Sequence, residues 1–359
     1  MQTITVDGEM QEAWLAEVRR FHPEVRLLAV NAAGQFSTLI EINPKTASWP
    51  LFYGQVSHIE LVTGFGETRW PIDCGPIEKL HIRVDGCGQP EVWSGSMAVA
   101  KHFSAKASTD DWLPGLVHVR ASYVHDLAAL LAFDRTATLR SLDLRWCDNI
   151  SDFSPLANLT QIISLNLSGC EKLIDLRPLA SLAQLTSLDL SHCNKLSDFG
   201  PLANLTQITS LNLSSCEKLS DLGSLASLTQ LTSLNLSRCK NLSDLGPLAS
   251  LTQLTYLEFW ECESLSDLGP LAHLTQLISL KLSSCVALRD LGPLASLTQL
   301  KSLFILRYPA PCDLGPLTSL TQLTSLHLCS CKKISDLDPL ASLTQLTSLD
   351  LSECDNLSD

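Results

Sequence analysis

One stretch decides the fold: residues 231–254 read L-T-S-L-N-L-S-R-C-K-N-L-S-D-L-G-P-L-A-S-L-T-Q-L. Leu234 and Leu236 are two residues apart, and Asn235 between them is polar, which is the alternation of a strand with one buried face. Pro247 fixes φ near the value of a helix and suits the first position of a short helical turn. The stretch therefore predicts a short strand, a turn at Cys239 and a short helical turn.

The same stretch recurs along most of the chain, and equivalent positions follow one another with a constant period of 23. The strand leucine returns without insertion at Leu142, Leu165, Leu188, Leu211, Leu234, Leu257, Leu280, Leu303, Leu326 and Leu349. The turn cysteine returns at Cys147, Cys170, Cys193, Cys216, Cys239, Cys262, Cys285, Cys331 and Cys354, and Tyr308 fills the one gap. One repeat cannot bury its leucines alone, whereas repeats stacked at about 4.8 Å bury them in one continuous core.

This pattern resembles the leucine-rich-repeat superfamily, whose motif is L-x-x-L-x-L-x-x-N/C-x-L. It is similar to the short bacterial and phosphatase-regulator type, with Cys at the usual Asn position and one extra residue per turn. The resemblance covers residues 117–359. It implies an α/β fold, a right-handed solenoid with a parallel β-sheet on its concave face and short helical or 3-10 turns on its convex face. It also implies that a protein partner binds the concave face.

The first residues do not fit the repeat. A strand over residues 3–6, an amphipathic helix over 9–21 and two strands over 24–30 and 36–42 predict an α/β N-terminal cap that ends at residue 55. Solenoids need such an end to shield the first coil.

Residues 56–138 are interpreted as irregular repeats that continue the sheet, because two strand-like motifs occur there. These are Val56-x-x-Ile59-x-Leu61 and Ile77-x-x-Leu80-x-Ile82, and their spacing is slightly shorter than the regular period. Regular repeats then fill residues 139–359, and the last one is incomplete.

Composition excludes several classes of function. The net charge is −13, and a negative protein surface repels phosphate backbones and acidic membrane surfaces. We therefore expect neither a nucleic-acid nor a membrane partner. No secretory signal or long apolar segment is found, which predicts a cytoplasmic protein. The 13 cysteines are then expected to be free thiols. No sequence pattern indicates an oligomeric state.

No catalytic motif or nucleotide-binding signature occurs, so we expect neither an enzyme nor a cofactor. The best metal candidate is the H-x-C-x-C of His327, Cys329 and Cys331. Cys331 belongs to the series of turn cysteines, called the cysteine ladder below, whose side chains should point inward. His327 and Cys329, in contrast, should share the concave face. That set of three ligands is strained, so no metal site is predicted.

Three repeats break the pattern of Ser and Asn at the strand positions that face away from the core, and Lys281 and His327 fall between or beside two of them. The candidate partner-binding residues are Arg145, Trp146, Tyr256, Glu258, Trp260, Glu261, Lys281, Phe304, Leu306, Arg307 and His327. Tyr, Trp and Arg commonly dominate binding energy in protein interfaces. We expect one patch centred on Trp260 and Phe304. The alternative is local repacking of an irregular repeat, since Tyr308 replaces a ladder cysteine and prolines follow it.

The leading interpretation is a protein-binding scaffold. A second is a sensor or autoinhibitory arm of a larger protein, because the chain stops at Asp359 inside a repeat. Its effector, for example a GTPase or a ligase, would then be absent from this chain. A third is an array of recently duplicated repeats with no evolved ligand.

Overall fold

The structure is a computed structural model. It describes residues 2–7, 26–30, 37–42, 58–63, 79–84, 118–121, 127–131, 139–309, 313–334 and 336–354. The chain forms two compact units, Met1–Lys172 and Leu173–Asp359.

Within the described residues, the first unit contains eight strands. They are β1 (Gln2–Asp7), β2 (Arg26–Val30), β3 (Ser37–Ile42), β4 (His58–Thr63), β5 (Lys79–Val84), β6 (His118–Ala121), β7 (Ser141–Asp143) and β8 (Ser164–Asn166). An α-helix spans Leu127–Leu131 and a 3-10 helix spans Ser154–Asn158. β1 pairs antiparallel with both β3 and β4, and β2 pairs antiparallel with β3. The helix expected over residues 9–21 lies outside the described residues.

From β4 to β8, each strand of the first unit pairs in parallel with the next. Ile59 lies opposite Leu80, Leu80 opposite Val119, and Val119 opposite Leu142. The irregular motifs are thus in register with the first regular repeat. The divisions proposed at residues 55 and 138 remain predictions.

The second unit repeats one pattern of strand and turn. Its strands are β9 (Ser187–Asp189), β10 (Ser210–Asn212), β11 (Ser233–Asn235), β12 (Tyr256–Trp260), β13 (Ser279–Ser283), β14 (Ser302–Leu306), β15 (Ser325–Cys329) and β16 (Ser348–Asp350). The 3-10 helices are Arg177–Leu179, Gly200–Asn204, Gly223–Ser227, Gly246–Ser250, Gly269–His273, Gly292–Ser296, Gly315–Ser319 and Asp338–Ser342. Neighbouring strands are parallel throughout. The predicted repeat solenoid is confirmed.

Each described 3-10 helix is preceded by an aspartate whose carboxylate accepts a hydrogen bond from the N–H of the first helical residue. In the repeat of residues 231–254, the Asp244 carboxylate accepts a hydrogen bond from the Gly246 N–H at 2.7 Å. Pro247 follows, and the Leu248 N–H donates to the Leu245 carbonyl at 2.9 Å. Asp side chains favour this local turn, and proline sets its φ, so the sequence S-D-L-G-P-L encodes the corner.

The core is a stack of leucines. Leu231, Leu234, Leu236 and Leu248 are all buried, and so is Cys239. Full burial of one leucine side chain stabilises the fold by roughly 1.5–3 kcal/mol. Because each repeat contributes several, stacking is what holds the unit together. Within the described residues, we find no helix with the length and apolar character needed to cross a membrane.

Candidate protein-binding face

Polar side chains on the open face of the second unit cap their own strands. We use "open face" for the side of the β9–β16 sheet that carries Asn235 and the residues aligned with it. The Asn235 side-chain oxygen accepts a hydrogen bond from the Ser237 N–H at 2.9 Å, and Asn212 does the same with Ser214 at 3.0 Å. Short Asn and Asp side chains compete in this way with the sheet for backbone donors. β10 and β11 are accordingly three residues long.

Four consecutive repeats lack this cap. Glu258, Lys281, Phe304 and His327 occupy the aligned position, and each lies in a strand of five residues. Five residue pairs join β12 to β13, β13 to β14 and β14 to β15. The next repeat has the cap again. The Asp350 carboxylate accepts a hydrogen bond from the Ser352 N–H at 2.9 Å, and β16 has three residues. The candidate residues of this unit therefore lie on or next to four longer strands.

Trp260 is the most exposed aromatic side chain of the described open face, with 40% of its surface accessible. The Arg238 guanidinium carbon lies 4.5 Å from the centroid of its ring. Arg238 also forms an ion pair with Glu261, Nε to Oε2, at 3.2 Å. Both Arg238 and Glu261 have positive φ, 61° and 53°, at the turn that follows the strand. The indole is thus held from one side while the rest remains accessible.

Tyr256, Glu258 and Lys281 form a second cluster. The Tyr256 hydroxyl donates a hydrogen bond to the Glu258 carboxylate. The Lys281 ammonium lies 3.5 Å from Glu258 Oε2 and 5.5 Å from the centroid of the tyrosine ring. Burial, and then the bond to Glu258, raise the pKa of Tyr256, while the tyrosine raises the pKa of Lys281. Each charged group has a partner within the cluster, which fixes its position.

Phe304 and His327 form a third cluster, on β14 and β15. Their ring centroids are 5.5 Å apart at an angle of 39°. The His327 Nε2 lies 3.0 Å from the Ser325 hydroxyl, and its Nδ1 lies 3.6 Å from Asp350 Oδ2. The Cys329 thiol donates to the same Asp350 oxygen at 3.2 Å. Burial and Asp350 raise the pKa of Cys329 to about 11.

The last two candidates of the second unit flank the third cluster. Leu306 is half-buried on the open face of β14 and is aligned with both Cys329 and Ser283. Arg307 is exposed and has a φ of 56°, at the same turn position as Glu261.

Arg145 and Trp146 belong to the first unit. Arg145 pairs with Asp143, Nη2 to Oδ2, at 2.6 Å. Trp146 is 50% exposed, and its ring lies against Gly169. A methyl group built on Gly169 would come within 2.6 Å of Cδ2 and Cζ3 of the indole. The Trp146 ring therefore has a defined packing position against Gly169 within this unit.

The strand register decides which candidate residues lie in one row across the sheet. Lys281 lies opposite Glu258 on one side and Phe304 on the other, whereas Tyr256 lies opposite Ser279. Tyr256 therefore precedes this row by two residues on the same strand.

Trp260 and Phe304 make ring contacts in opposite directions. Trp260 stacks with Arg238 beside β11, and Phe304 packs on His327 of β15. The expected patch thus consists of three neighbouring clusters, and its role in binding remains a prediction.

Two residues of these clusters, Arg238 and Asp350, were not predicted from the sequence. Arg238 stacks on Trp260, and Asp350 accepts from Cys329. The constant period of the repeat was a sufficient signal for both. It places Arg238 one repeat before Glu261, and Asp350 one repeat after His327.

The cysteine ladder satisfies backbone carbonyls between repeats. The Cys239 thiol donates to the Leu213 carbonyl at 3.3 Å, and the Cys262 thiol donates to the Leu236 carbonyl at 3.2 Å. Burial raises the pKa of Cys239 to about 12, so this thiol is neutral and unreactive. All ten cysteines of the described residues are free.

Two family models match the chain. One, described as leucine-rich repeats in two copies, matches residues 183–227, and one described as leucine-rich repeat matches residues 137–152. No curated protein matches the chain in sequence.

Solved structures of Listeria monocytogenes proteins are similar to this chain. An internalin, InlF of strain 4b F2365, is 27% identical with a TM-score of 0.55, over 82% of this chain and 87% of that one. Internalin C2 of the same strain is 32% identical with a TM-score of 0.49, over 55% of this chain and 84% of that one. The functional domain of InlJ, described as including a cysteine ladder, is 23% identical with a TM-score of 0.46, over 67% and 54%.

Four observations indicate the same leucine-rich-repeat fold. They are the repeat period, the parallel strands with 3-10 turns, the family models and the likeness to InlF. Folds of this class are typically protein-interaction scaffolds rather than catalytic domains. The chain belongs to the leucine-rich-repeat superfamily.

Proposed function

We propose that the chain binds a protein partner on the open face of β12–β15, the face that the family resemblance predicts to be concave. The observation that carries this proposal is the 40% exposure of Trp260. The aligned residues of the two neighbouring repeats are Ser237, which follows β11, and Ser283, at the end of β13, so the repeat itself does not require an indole there.

The energetics of interfaces support this location. Large aromatic and Arg side chains contribute most to binding when a partner removes them from water. The indole of Trp260 is already held by Arg238, which in turn pairs with Glu261. Less side-chain entropy is then lost when a partner covers the ring, and this favours affinity.

The charges of the face favour a partner of mixed polarity. Glu258 and Lys281 neutralise each other within the second cluster, and Arg238 neutralises Glu261. An apolar centre with paired charges around it is typical of a protein interface. We assign Tyr256, Phe304, Leu306, Arg307 and His327 to the same face.

Arg145 and Trp146 are proposed as a further contact, carried by the first unit. Trp146 is a half-exposed aromatic, and Arg145 is held by Asp143. The cytoplasmic location and the expected lack of nucleic-acid and membrane partners remain predictions, as does a role as the sensor arm of a larger protein.

The test is capture of partners from the native lysate by the parent chain and by a Trp260→Ser/Phe304→Ala variant. Serine already occupies the aligned positions 237 and 283, so the first change is compatible with the strand. Alanine at 304 avoids the strand cap that asparagine would introduce. Val286→Asn is the matched control, since Val286 is 53% exposed on the turn after β13 and Asn194 occupies the aligned position.

We expect a partner that the parent and the Val286→Asn control capture equally and that the double variant loses at least tenfold. Circular dichroism should show the same folded content in all three. A partner that the folded double variant captures as well as the parent would contradict the proposed face. The Trp146→Ala variant then tests the first unit.

A further inference from the structure

We propose that His327, Cys329 and Asp350 form a binding site for a zinc ion. His327 and Cys329 are two residues apart on β15 and therefore share its open face, and both are partly exposed. Asp350 lies directly opposite His327 on β16. The parallel register thus brings three different metal-binding side chains to one place on the surface.

The distances between the donor atoms fit a tetrahedral ion. Zinc binds His nitrogen, Cys sulfur and carboxylate oxygen at about 2.0–2.3 Å, so its ligand atoms lie about 3.3–3.6 Å from one another. Cys329 Sγ is 3.2 Å from Asp350 Oδ2, and His327 Nδ1 is 3.6 Å from the same oxygen. The three residues each offer a ligand atom within 4.8 Å of the other two. Small side-chain shifts therefore suffice to surround an ion.

The neighbouring groups orient these ligands as a metal site requires. The His327 Nε2 lies 3.0 Å from the Ser325 hydroxyl, so a proton on Nε2 leaves Nδ1 as the free lone pair toward Asp350. The other oxygen of Asp350, Oδ1, accepts from the Ser352 N–H at 2.9 Å and from the Ser352 hydroxyl. Oδ2 remains directed at Cys329 and His327.

The ligand set selects the metal. One thiolate, one imidazole and one carboxylate suit zinc, whereas magnesium and calcium prefer oxygen ligands alone. Three protein ligands leave a fourth position for water or for a side chain of a partner. When the sulfur–zinc bond forms, the thiol proton leaves to solvent, and nothing is oxidised or reduced.

This site replaces the H-x-C-x-C set considered from the sequence. Cys331 is buried in the ladder, with Sγ 3.7 Å from the Ile305 carbonyl, and does not belong to the surface group. Asp350 takes its place as third ligand. Within the part of the chain that the structure describes, this is the one group of three or more His, Cys, Asp or Glu side chains with such spacing.

The experiment uses the full chain, stripped of metal with a chelator and kept reduced. Zinc is titrated by calorimetry, and cobalt(II) serves as a spectroscopic probe, because a thiolate ligand gives it a charge-transfer band in the near ultraviolet. The variants are Cys329→Ser, Asp350→Asn and His327→Gln. Ser and Asn already occupy the aligned positions in other repeats, at Ser283 and Asn235, so the first two variants keep the fold.

We expect one zinc ion per chain, and at least a tenfold loss of affinity in each of the three variants. The cobalt band should disappear in Cys329→Ser and persist in a Cys331→Ala control, which discriminates the new set from H-x-C-x-C. The proposal is overturned if the parent chain binds no zinc, or if Cys329→Ser and Asp350→Asn bind it as tightly as the parent. Loss of the band in Cys331→Ala but not in Cys329→Ser would also overturn it. Since the readout is metal binding alone, the outcome is independent of any protein partner.

Discussion

The Arg238 guanidinium carbon lies 4.5 Å from the centroid of the Trp260 ring, one repeat further along the chain. This contact joins a turn residue to the last residue of a strand. Glu261 also holds the guanidinium through its ion pair. A Trp that lies 40% exposed is thereby held in one orientation on the open face.

The first prediction concerns this pair. We expect a double-mutant cycle of Arg238→Ser and Trp260→Ser to give a coupling free energy of about 0.5–1 kcal/mol, the usual size of an exposed cation–π contact. Urea denaturation of the four proteins measures it. A cycle of Arg238→Ser with Val286→Asn should give no coupling, and additive effects in the first cycle would show that the stacking does not stabilise the fold.

The second prediction concerns the packing of the Trp146 indole against Gly169. Gly169 has a φ of 70°, and a methyl group there would overlap the indole. We expect Gly169→Ala to lower the free energy of unfolding by about 1–2 kcal/mol, through the clash and the unfavourable φ.

The control is the combination with Trp146→Ala, which removes the ring and leaves only the backbone effect. Non-glycine residues such as His192 and Ser215 have the same positive φ, so the backbone effect should be the smaller part. If Gly169→Ala is equally destabilising with and without the indole, the clash is not its cause.

The third prediction is an alkaline loss of stability through the buried thiols. Burial raises the pKa of Cys239 from its ordinary 9.0 to about 12, so the folded chain keeps a proton that the unfolded chain releases. The stabilisation is complete below pH 9 and is lost as the pH rises toward 12, by up to about 1.4 kcal/mol per pH unit.

We therefore expect Cys239→Ala to lose less stability than the parent between about pH 8 and about pH 10, by roughly 1–2 kcal/mol. Urea midpoints at the two pH values measure the difference. Equal losses in both proteins would show that this thiol ionises as easily in the folded chain as in the unfolded one.

The fourth prediction compares two leucines at the same position of the repeat. Leu234 is completely buried, whereas Leu349 is 47% exposed. We expect Leu234→Ala to lower the free energy of unfolding by about 2–5 kcal/mol, and Leu349→Ala by less than half as much, because little cavity forms. Equal effects of the two changes in urea denaturation would contradict this dependence on burial.

The sequence was sufficient for the fold because each element is encoded locally and then repeated. The alternation of Leu234 and Leu236 specifies the strand, and Asp244 with Pro247 specifies the turn. A constant repeat period leaves one way to stack such units, with every leucine beside its equivalent. The identity of the residues on the open face could be read in the same way.

Only the tertiary structure decided which contacts the residues of the open face make with one another. The sequence showed Phe304 and His327 as departures from the repeat, but not that replacing Asn by such residues extends the strand to five residues. The period placed Asp350 opposite His327, yet only the orientation of the side chains showed that Cys329 and His327 both converge on one carboxylate oxygen. Burial of leucines depends on spacing alone, and spacing is visible in the sequence. A polar cluster depends on the direction of each donor and acceptor, and those directions are set only when neighbouring repeats are stacked.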